Sequence, residues 1–250
     1  MGGAVARAWP ARRKAKEMFD GQPIVEDARR VFETVSQGGV AIFPVSVGYA
    51  VVGHGDAAVR RIYAAKKRSF EKPCGNFSDW ALFNQVIDVS ERARDVVRAV
   101  IKDHDLPFSI VAPYRPDHPV VKSLGSFALA NSTKAGTMDM LLNAGPLHDE
   151  IARLARENAF ALVGSSANLS RTGSKFRLGD IEEQVRGIAD LAIDYGLCPY
   201  HNADGLGSTI VDLDGFETIR VGCVYDEICD ILNSRFDIDL KAIMAAKGSD

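Results

Sequence analysis

The sequence predicts an α/β domain built on a mixed sheet. Segments with apolar residues at helical spacing alternate along the chain with short apolar runs of the kind that form buried strands. Two strand-like segments also flank Asp214 and Gly215, a turn dipeptide typical of β-hairpins, and a hairpin requires antiparallel pairing. The composition, with 46% hydrophobic and 25% charged residues in a chain of 250, is that of a globular protein with a full hydrophobic core.

The first predicted elements follow from helical spacing that ends in glycine. The apolar positions of the first helix are Val25, Ala28, Val31, Phe32 and Val35. The pair Gly38-Gly39 ends that helix, and the apolar residues 40–44 then predict a buried strand. A second helix is predicted over residues 57–65, and Ser90 is a suitable N-cap for a third helix over residues 91–101.

The rest of the chain continues the alternation of helices and strands. The remaining predicted strands cover residues 108–112, 137–142, 160–164, 191–194, 209–213 and 217–221, and the remaining helices cover residues 147–158, 180–188, 226–232 and 240–246. No internal repeat or Pro-rich linker interrupts this series, which favours one core domain. We therefore divide the chain into a basic N-terminal extension (residues 1–22), a core domain (residues 23–224) and a C-terminal helical extension (residues 225–250).

Charge and cysteine content exclude several classes of protein. The 30 basic and 33 acidic side chains give a net charge of -3, so bulk charge does not predict a nucleic-acid coat and a polyanion site must be a local cluster. The 4 cysteines form no CxxC pair and the 5 histidines are scattered, so neither a metal site nor a disulfide framework is predicted. No apolar run is long enough to span a bilayer and no signal peptide is visible, so we expect a cytoplasmic protein without a membrane partner.

The start of the chain, through Phe19, is a basic segment with Glu17 as its one acid. Its cations are Arg7, Arg12, Arg13, Lys14 and Lys16. We interpret this segment as a disordered or loosely docked tail. A basic arm that binds RNA and an organelle-targeting segment are the alternatives.

A basic loop over residues 66–73 is the first segment that predicts chemistry. It holds four cations, follows a predicted helix and ends in Pro73. Cations at a helix C-terminus often do no more than complement the helix dipole. Four of them in so short a loop also suit a polyphosphate clamp, since Lys and Arg both donate charged hydrogen bonds to phosphate.

Three further segments combine small or hydroxyl-bearing residues with the ends of predicted strands. Residues 164–170 form a Ser-rich turn after a buried strand, where small side chains let backbone N–H groups approach an anion. The alternative is a turn that caps the next element. Residues 207–212 and 220–222 read G-S-T-I-V-D and R-V-G, and each alone would pass for ordinary strand residues and a solvated strand edge.

Taken together and in order, these segments resemble the YrdC-like family, which includes the threonylcarbamoyl-adenylate synthases of tRNA modification. The order is strand-P-x-x-x-x-Y, K-x-R-x-x-x-K-P, S-A-N-x-S, S-T-x-x-D and R-x-G, and it runs from about residue 25 to residue 222. The resemblance implies a twisted mixed α/β sheet, with flanking helices, around a basic concave cavity. It also implies that L-threonine, bicarbonate and ATP are joined into threonylcarbamoyl-AMP with release of pyrophosphate and the assistance of Mg²⁺.

On the ATP side the resemblance is close. It implies that Lys66 and Arg68 are the catalytic pair that holds the phosphates of the nucleotide. The further nucleotide contacts that it implies are Lys72, Thr137, Ser166, Asn168, Ser174, Ser208, Thr209 and Arg220.

On the acceptor side the sequence departs from the family pattern. The family's first strand ends P-T-x-T-x-Y-G, whereas residues 44–50 read P-V-S-V-G-Y-A. The family's arginine for the amino-acid carboxylate aligns with Leu141, and a position that is often polar aligns with Phe77. The implied acceptor pocket is therefore divergent, and its residues are Val45, Val47, Tyr49, Phe77 and Leu141. Because an unpaired carboxylate in an apolar pocket is disfavoured, we expect weak binding of L-threonine.

The leading hypothesis is a nucleotidyltransferase that forms an acyl- or carbamoyl-adenylate from ATP and a small carboxylate or amino-acid acceptor. In it the basic side chains stabilise charge on the phosphates, and bicarbonate and Mg²⁺ take part. The alternative is a non-catalytic protein that binds double-stranded RNA or a nucleotide such as AMP on the same basic face. A structural interaction protein is a third hypothesis with little support in the sequence.

Overall fold

Within residues 17–247, which the computed structural model describes, one mixed sheet of ten strands forms the centre of the fold. The strands are β1 (Ala41–Val45), β2 (Gly48–Gly53), β3 (Gly75–Phe77), β4 (Phe108–Pro113), β5 (Thr133–Lys134), β6 (Thr137–Leu142), β7 (Val163–Ser166), β8 (Leu191–Ala192), β9 (Ile210–Asp212) and β10 (Glu217–Arg220). Their order across the sheet is β10-β9-β4-β6-β3-β7-β2-β1-β8, and β5 pairs with β6 beside this path. Parallel pairing joins β1 to β8, β3 to β6 and β4 to β9, whereas the other pairs are antiparallel.

The predicted α/β fold with a mixed sheet and flanking helices is confirmed. The helices are α1 (Ile24–Ser36), α2 (Gly55–Lys66), α3 (Trp80–Val86), α4 (Glu91–Arg98), α5 (Pro119–Lys122), α6 (Ser126–Ala130), α7 (Pro146–Glu157), α8 (Glu183–Arg186), α9 (Tyr225–Phe236) and α10 (Leu240–Lys247). Ser90 caps α4 as predicted, because its side chain accepts a hydrogen bond from the backbone of Ala93.

Strand β6 shows how the sheet separates a core face from a site face. Its side chains alternate, as the two-residue period of a strand requires. Met138, Met140 and Leu142 are buried in the larger hydrophobic core, together with alternate residues of β4. Thr137, Asp139 and Leu141 lie on the opposite face and are only partly buried.

The flanking helices pack against the sheet in two different hydrophobic clusters. Helices α1 and α7 bury their apolar stripes against β1 and β2, with Val31 and Ile151 at the contact. Helix α9 contributes Ile228 and Leu232 to the same core as β4 and β6. The described part of the C-terminal extension is therefore continuous with the core of the domain.

Several predicted elements differ from those observed. The helix predicted over residues 180–188 is a 3-10 turn at Leu178–Asp180 followed by the short helix α8, and the strand predicted over residues 160–164 lies at Val163–Ser166. Strand β2 was not predicted, since its sequence GYAVVG is buried on both faces and shows no polar alternation.

The prediction of a loose N-terminal tail does not hold for its last residue, Phe19. Phe19 has 6% of its surface exposed and packs edge to face against Tyr195, with ring centroids 6.0 Å apart. The basic residues of this segment, from Arg7 to Lys16, lie outside the described residues. In residues 17–247 no helix combines the length and the apolar character needed to cross a membrane.

Candidate functional site

The C-terminus of α2 gives Lys66 and Arg68 different environments. Lys67 adopts the left-handed conformation, with φ 48°, and its backbone N–H returns to the last turn of the helix. A residue in this conformation ends the helix and redirects the chain. As a result Lys66 has 1% of its surface exposed, whereas Lys67 is exposed and Arg68 is half-buried.

Lys66 ties the basic loop to the Ser-rich turn. Its ammonium donates to the backbone oxygen of Ser166, to the backbone oxygen of Asn168 at 2.5 Å and to Asn168 Oδ1 at 3.4 Å. Three acceptors match the three donors of an ammonium group. Burial first, and then the positive charge of Arg68, lower the pKa of Lys66 to about 7. Its burial conflicts with the prediction that Lys66 contacts phosphate directly, and it assigns Lys66 the role of a positioning residue.

Arg68 folds its guanidinium over the end of its own loop. Nε donates to the backbone oxygen of Lys72 at 3.0 Å, Nη2 to that of Pro73 at 2.6 Å, and Nη1 to Ser165 Oγ at 3.2 Å. These bonds fix a planar charged fork beside β7. The Lys72 side chain is exposed and makes no hydrogen bond or ion pair with the described residues, so its ammonium is open to solvent.

The Ser-rich turn is closed by its own side chains. Ser166 Oγ donates to Asn168 Oδ1, and the Asn168 amide donates to the backbone oxygen of Leu169. The backbone of Ala167 donates to Tyr49 on β2 at 2.7 Å, which attaches the turn to the sheet. Ser166 remains half-buried, whereas Asn168 is buried, so Ser166 is the more accessible of the two predicted contacts.

Glu182, which the sequence analysis did not identify, holds the loop that follows this turn. Its carboxylate accepts from the backbone N–H of Leu169 at 3.1 Å, from Thr172 Oγ1 at 2.9 Å and from Lys175 Nζ at 3.0 Å. Burial alone would raise the pKa of Glu182, but these hydrogen bonds outweigh burial and lower the pKa to about 2. No local motif could have revealed this role, because the partners lie several residues upstream in a loop.

Arg220 and Ser208 form the second half of the site. Arg220 Nε and Nη2 donate to the backbone oxygen of Ser208 at 3.0 and 2.8 Å, and Nη2 also donates to Ser208 Oγ at 2.9 Å. A Cβ added to Gly207 would lie 2.9 Å from Ser174 Oγ and 3.5 Å from Arg220 Nη2. The absence of a side chain at Gly207 therefore lets Ser174 and Arg220 approach each other.

The glycine of R-x-G has a steric explanation. A Cβ on Gly222 would lie 2.4 Å from backbone atoms of Ser208 and Thr209, which no real side chain tolerates. Thr209 has no exposed surface, and its hydroxyl donates to the backbone oxygen of Cys223 at 2.9 Å. This burial conflicts with the prediction that Thr209 contacts the nucleotide. Thr137 is half-buried at the start of β6, and its hydroxyl donates to Lys134 at 2.7 Å.

Asp139 is a second residue that the sequence analysis missed, and it connects the two halves. It lies two residues after Thr137 on the site face of β6, and it interacts electrostatically with both Arg220 and Arg68. Burial raises the pKa of Asp139 to about 6, although the charges of Arg220 and Arg68 act in the opposite direction. Aspartate is depleted in strands, so an Asp between two methionines was the available signal.

Four of the five predicted acceptor residues come together. Val45, Val47 and Phe77 have 3%, 6% and 5% of their surfaces exposed in one apolar cluster, and Leu141 packs against it. Phe19 belongs to the same cluster. The four side chains form an apolar wall with no hydrogen-bond partner of their own, although the Ser46 hydroxyl, between Val45 and Val47, is buried without a partner.

Tyr49 is separated from the other four, which corrects its assignment to the same pocket. Its side chain lies in a different apolar cluster, with Ile42 and Val51, because successive residues of β2 point to opposite faces. Tyr49 Oη donates to Asp194 Oδ1 at 2.5 Å and lies 2.9 Å from the backbone oxygen of Gly196. The tyrosine therefore fixes β2 to the segment that follows β8.

Comparison with known families and structures agrees with this architecture. The family model Sua5/YciO/YrdC, described as Telomere recombination, matches residues 33–222. A hypothetical protein from Streptococcus mutans UA159 superposes with a TM-score of 0.69 at 21% identity, over 84% of this chain and 92% of that chain. YciO from E. coli superposes with a TM-score of 0.62 at 18% identity, over 82% of this chain and 94% of that chain.

Sua5 from P. abyssi, solved in complex with L-threonine, is a third similar structure. It superposes with a TM-score of 0.63 at 18% identity, over 79% of this chain but only 54% of that chain. At these identities the three likenesses establish a common fold, which is a mixed sheet with flanking helices.

Proposed function

This chain belongs to the Sua5/YciO/YrdC family, and from that premise we propose that it binds ATP between Arg68 and Arg220 and forms an acyl- or carbamoyl-adenylate. The observation that carries the proposal is the convergence of these two arginines. They come from segments far apart in the sequence, yet Arg220 stands on β10, Arg68 donates to Ser165 on β7, and the charges of both arginines act on the pKa of Asp139 on β6, which lies between these strands. Two planar cations on either side of β6 suit the oxygens of a polyphosphate.

Several polar groups of the candidate site remain accessible to a ligand, and this supports the proposal. Ser166 and Ser174 are half-buried and Lys72 is exposed, so their polar groups remain open to a ligand. Lys66 and Glu182 hold the Ser-rich turn and the loop after it from two sides, so hydroxyl and backbone donors near the nucleotide are preorganised. Preorganised donors stabilise developing charge without reorganisation during the reaction.

The chemistry is a displacement at the α-phosphorus of ATP. An oxygen of a carboxylate or carbamate forms a bond to that phosphorus, the bond to the bridging oxygen of the β-phosphate breaks, and pyrophosphate leaves with the electron pair. Arg68 and Arg220 stabilise the charge that accumulates on the phosphate oxygens. No general base is needed, because the attacking carboxylate or carbamate is already an anion. Bicarbonate is the proposed source of a carbamate, and Mg²⁺ would neutralise phosphate charge.

The acceptor is proposed to differ from L-threonine, the ligand of the P. abyssi Sua5 structure. The apolar side chains of Val45, Val47, Phe77 and Leu141 supply neither a charge for a carboxylate nor a partner for a hydroxyl. A site without such partners does not favour a polar ligand over an apolar one. We therefore propose a small carboxylate or amino acid with a less polar side chain.

Exchange of labelled pyrophosphate into ATP tests the adenylate proposal. With bicarbonate, Mg²⁺ and a panel of small carboxylates and amino acids, we expect exchange that depends on at least one acceptor and that L-threonine does not support. Arg220→Gln should abolish the exchange, and Arg115→Gln, a surface arginine paired with Asp88, should not. Absence of exchange with every acceptor would refute adenylate formation, and robust exchange with L-threonine would refute the proposed acceptor class.

The apolar wall of the acceptor pocket also favours a second candidate, which is binding without turnover. In it the same arginines hold AMP or the phosphates of double-stranded RNA, and no acceptor is required. Binding of RNA that weakens steeply with salt, together with the absence of exchange, would support this candidate over the first.

A further inference from the structure

Asp139 is a carboxylate that the proposed chemistry does not use. Its strand, β6, lies in the sheet between β10, which carries Arg220, and β7, whose Ser165 accepts a hydrogen bond from Arg68. In the sheet Asp139 is flanked by Gly75 on β3 and by Val111 on β4, neither of which offers a polar side chain. A Cβ on Gly75 would lie 3.3 Å from Asp139 Oδ1, so the missing side chain leaves room for the carboxylate. Within residues 17–247 the Asp139 side chain accepts no hydrogen bond and has no ion-pair partner within 4.0 Å.

A negative charge at this position opposes phosphate binding unless a cation accompanies the ligand. Two guanidinium groups neutralise only part of the charge of a triphosphate, and the carboxylate cancels part of their effect. Moving Asp139 away is not open to the protein, since the residue is fixed in the middle of β6. The carboxylate oxygens are instead available to a ligand, because no described residue occupies them.

A divalent cation suits this geometry. Mg²⁺ is commonly held by one or two carboxylates together with phosphate oxygens and water. Among the described residues no group of three or more His, Cys, Asp or Glu side chains could hold an ion alone. An ion at Asp139 must therefore take its other ligands from the polyphosphate and from solvent.

We propose that Asp139 is a protein ligand of the Mg²⁺ ion that accompanies a bound triphosphate or pyrophosphate. This inference rests on the proposed ATP site and adds the residue that positions the metal. Asp139 would hold the metal through its carboxylate, the metal would neutralise phosphate charge, and Arg68 and Arg220 would contact phosphate oxygens.

Calorimetric titration with inorganic pyrophosphate and with ATP, in excess Mg²⁺ or in chelator, tests the inference. In the native protein we expect Mg²⁺ to tighten binding by at least about tenfold, which corresponds to about 1.4 kcal/mol. Asp139→Asn should bind metal-free pyrophosphate at least as tightly as the native protein, because a repulsive charge is gone, and it should lose the gain from Mg²⁺. The matched control Asp88→Asn removes a surface carboxylate and should behave like the native protein.

The possible failures are distinguishable. An equal gain from Mg²⁺ in the native protein and in Asp139→Asn would overturn the metal-ligand role and leave the ATP site intact. A native affinity that Mg²⁺ does not change, but that rises as the pH is lowered, would show that a proton neutralises Asp139 and would also overturn it. No binding of either ligand by any variant would overturn the ATP site together with this inference.

A second measurement needs no variant. Mn²⁺ replaces Mg²⁺ in the complex of the native protein with pyrophosphate, and aspartate is labelled with ¹³C at its side-chain carboxyl. Pulsed electron paramagnetic resonance should then detect a ¹³C coupling from a directly bound carboxylate. Absence of that coupling in a complex that contains Mn²⁺ and pyrophosphate would overturn the inference.

Discussion

Neighbouring residues of one basic loop have different roles because they differ in burial. The Lys66 ammonium is buried and donates its hydrogen bonds to oxygens of the Ser-rich turn. The Arg68 guanidinium is bonded to its own loop and is only half-buried. The sequence pattern K-x-R presents them as a pair. In the structure the lysine supports the turn, and we propose that only the arginine contacts the ligand.

The pKa of Lys66 provides a prediction at this scale. Burial and the Arg68 charge lower the pKa to about 7, so Arg68→Gln should raise it by removing a repelling charge. The signal of the Lys66 ε-carbon in a pH titration by NMR measures this value, and Arg60→Gln, at the far side of α2 over Phe127, is the control. A Lys66 pKa that stays near 10.5 in the native protein would contradict the account.

The sign of the associated stability effect follows from the direction of the shift. Between about 7 and 10.5 the unfolded chain holds a proton on Lys66 that the folded protein has released. The unfolding free energy should therefore rise with pH through this interval as far as this one group contributes.

Sequence reasoning predicted the arginines but not the carboxylates of the candidate site, and the roles of all of them stay predictions. Arg68, Arg220 and the hydroxyl residues were predicted because their order along the chain is a family pattern. Asp139 and Glu182 belong to no pattern in the sequence. Their roles depend on strand register and on loop packing, which bring together residues that local spacing cannot relate.

At the scale of elements, the Ser-rich turn and the loop that follows it act as one unit. The unit is fixed to β2 through Ala167, to α2 through Lys66 and to α8 through Glu182. Gly173 meets Gly205 so closely that a Cβ on Gly205 would lie 3.0 Å from the Cα of Gly173. The loop therefore reaches the segment that carries Ser208.

Acid should weaken this unit through Glu182. Its pKa in the folded protein, about 2, lies below the ordinary value of 4.5, so its stabilising effect is complete above 4.5 and is lost as the pH falls toward 2. Glu182→Gln should lower the unfolding free energy at neutral pH by about 1.5–3 kcal/mol, the range for hydrogen bonds to charged groups.

Chemical denaturation at several pH values measures this effect. The native protein should lose stability more steeply than Glu182→Gln between pH 4.5 and about 2. Glu183→Gln, at the exposed first residue of α8 directly after Glu182, is the matched control and should follow the native protein. Parallel pH profiles of the native protein and Glu182→Gln would contradict the assigned role.

The elements that sequence reasoning predicted well are those with a one-sided apolar pattern. Helices α1 and α7 were predicted to within a few residues, because each buries one stripe and exposes the rest. Strands β2 and β3 were missed, since the first is buried on both faces and the second has only three residues. The helix predicted over residues 180–188 is shorter in the structure, where Ile181 and Val185 are buried in an apolar cluster.

At the scale of the whole molecule, the C-terminal helices complete the core beneath the site. Leu232 on α9 has no exposed surface and belongs to the same core as residues of β4 and β6. Asp139 lies on the opposite face of β6. The division into a core domain and a C-terminal extension therefore does not correspond to separate hydrophobic cores among the described residues.

Leu232→Ala should lower the unfolding free energy by about 2–5 kcal/mol, because it leaves a cavity in a fully buried position. Met244→Ala, on the exposed side of α10 with 44% of its surface accessible, should change stability by no more than about 0.5 kcal/mol. Urea denaturation followed by circular dichroism measures both. A Leu232→Ala variant as stable as Met244→Ala would contradict the contribution of α9 to the hydrophobic core.

Binding of ATP phosphates by Arg68 is tested most directly by calorimetric titration of ATP into the native protein and into Arg68→Ala. We expect the native protein to bind ATP and Arg68→Ala to bind it more weakly by about 1.5–3 kcal/mol, the range for a hydrogen bond to a charged group. Lys67→Ala, which removes an exposed cation from the same loop, should leave the affinity almost unchanged. An Arg68→Ala variant with native affinity, or a native protein that binds no ATP, would contradict the proposed site.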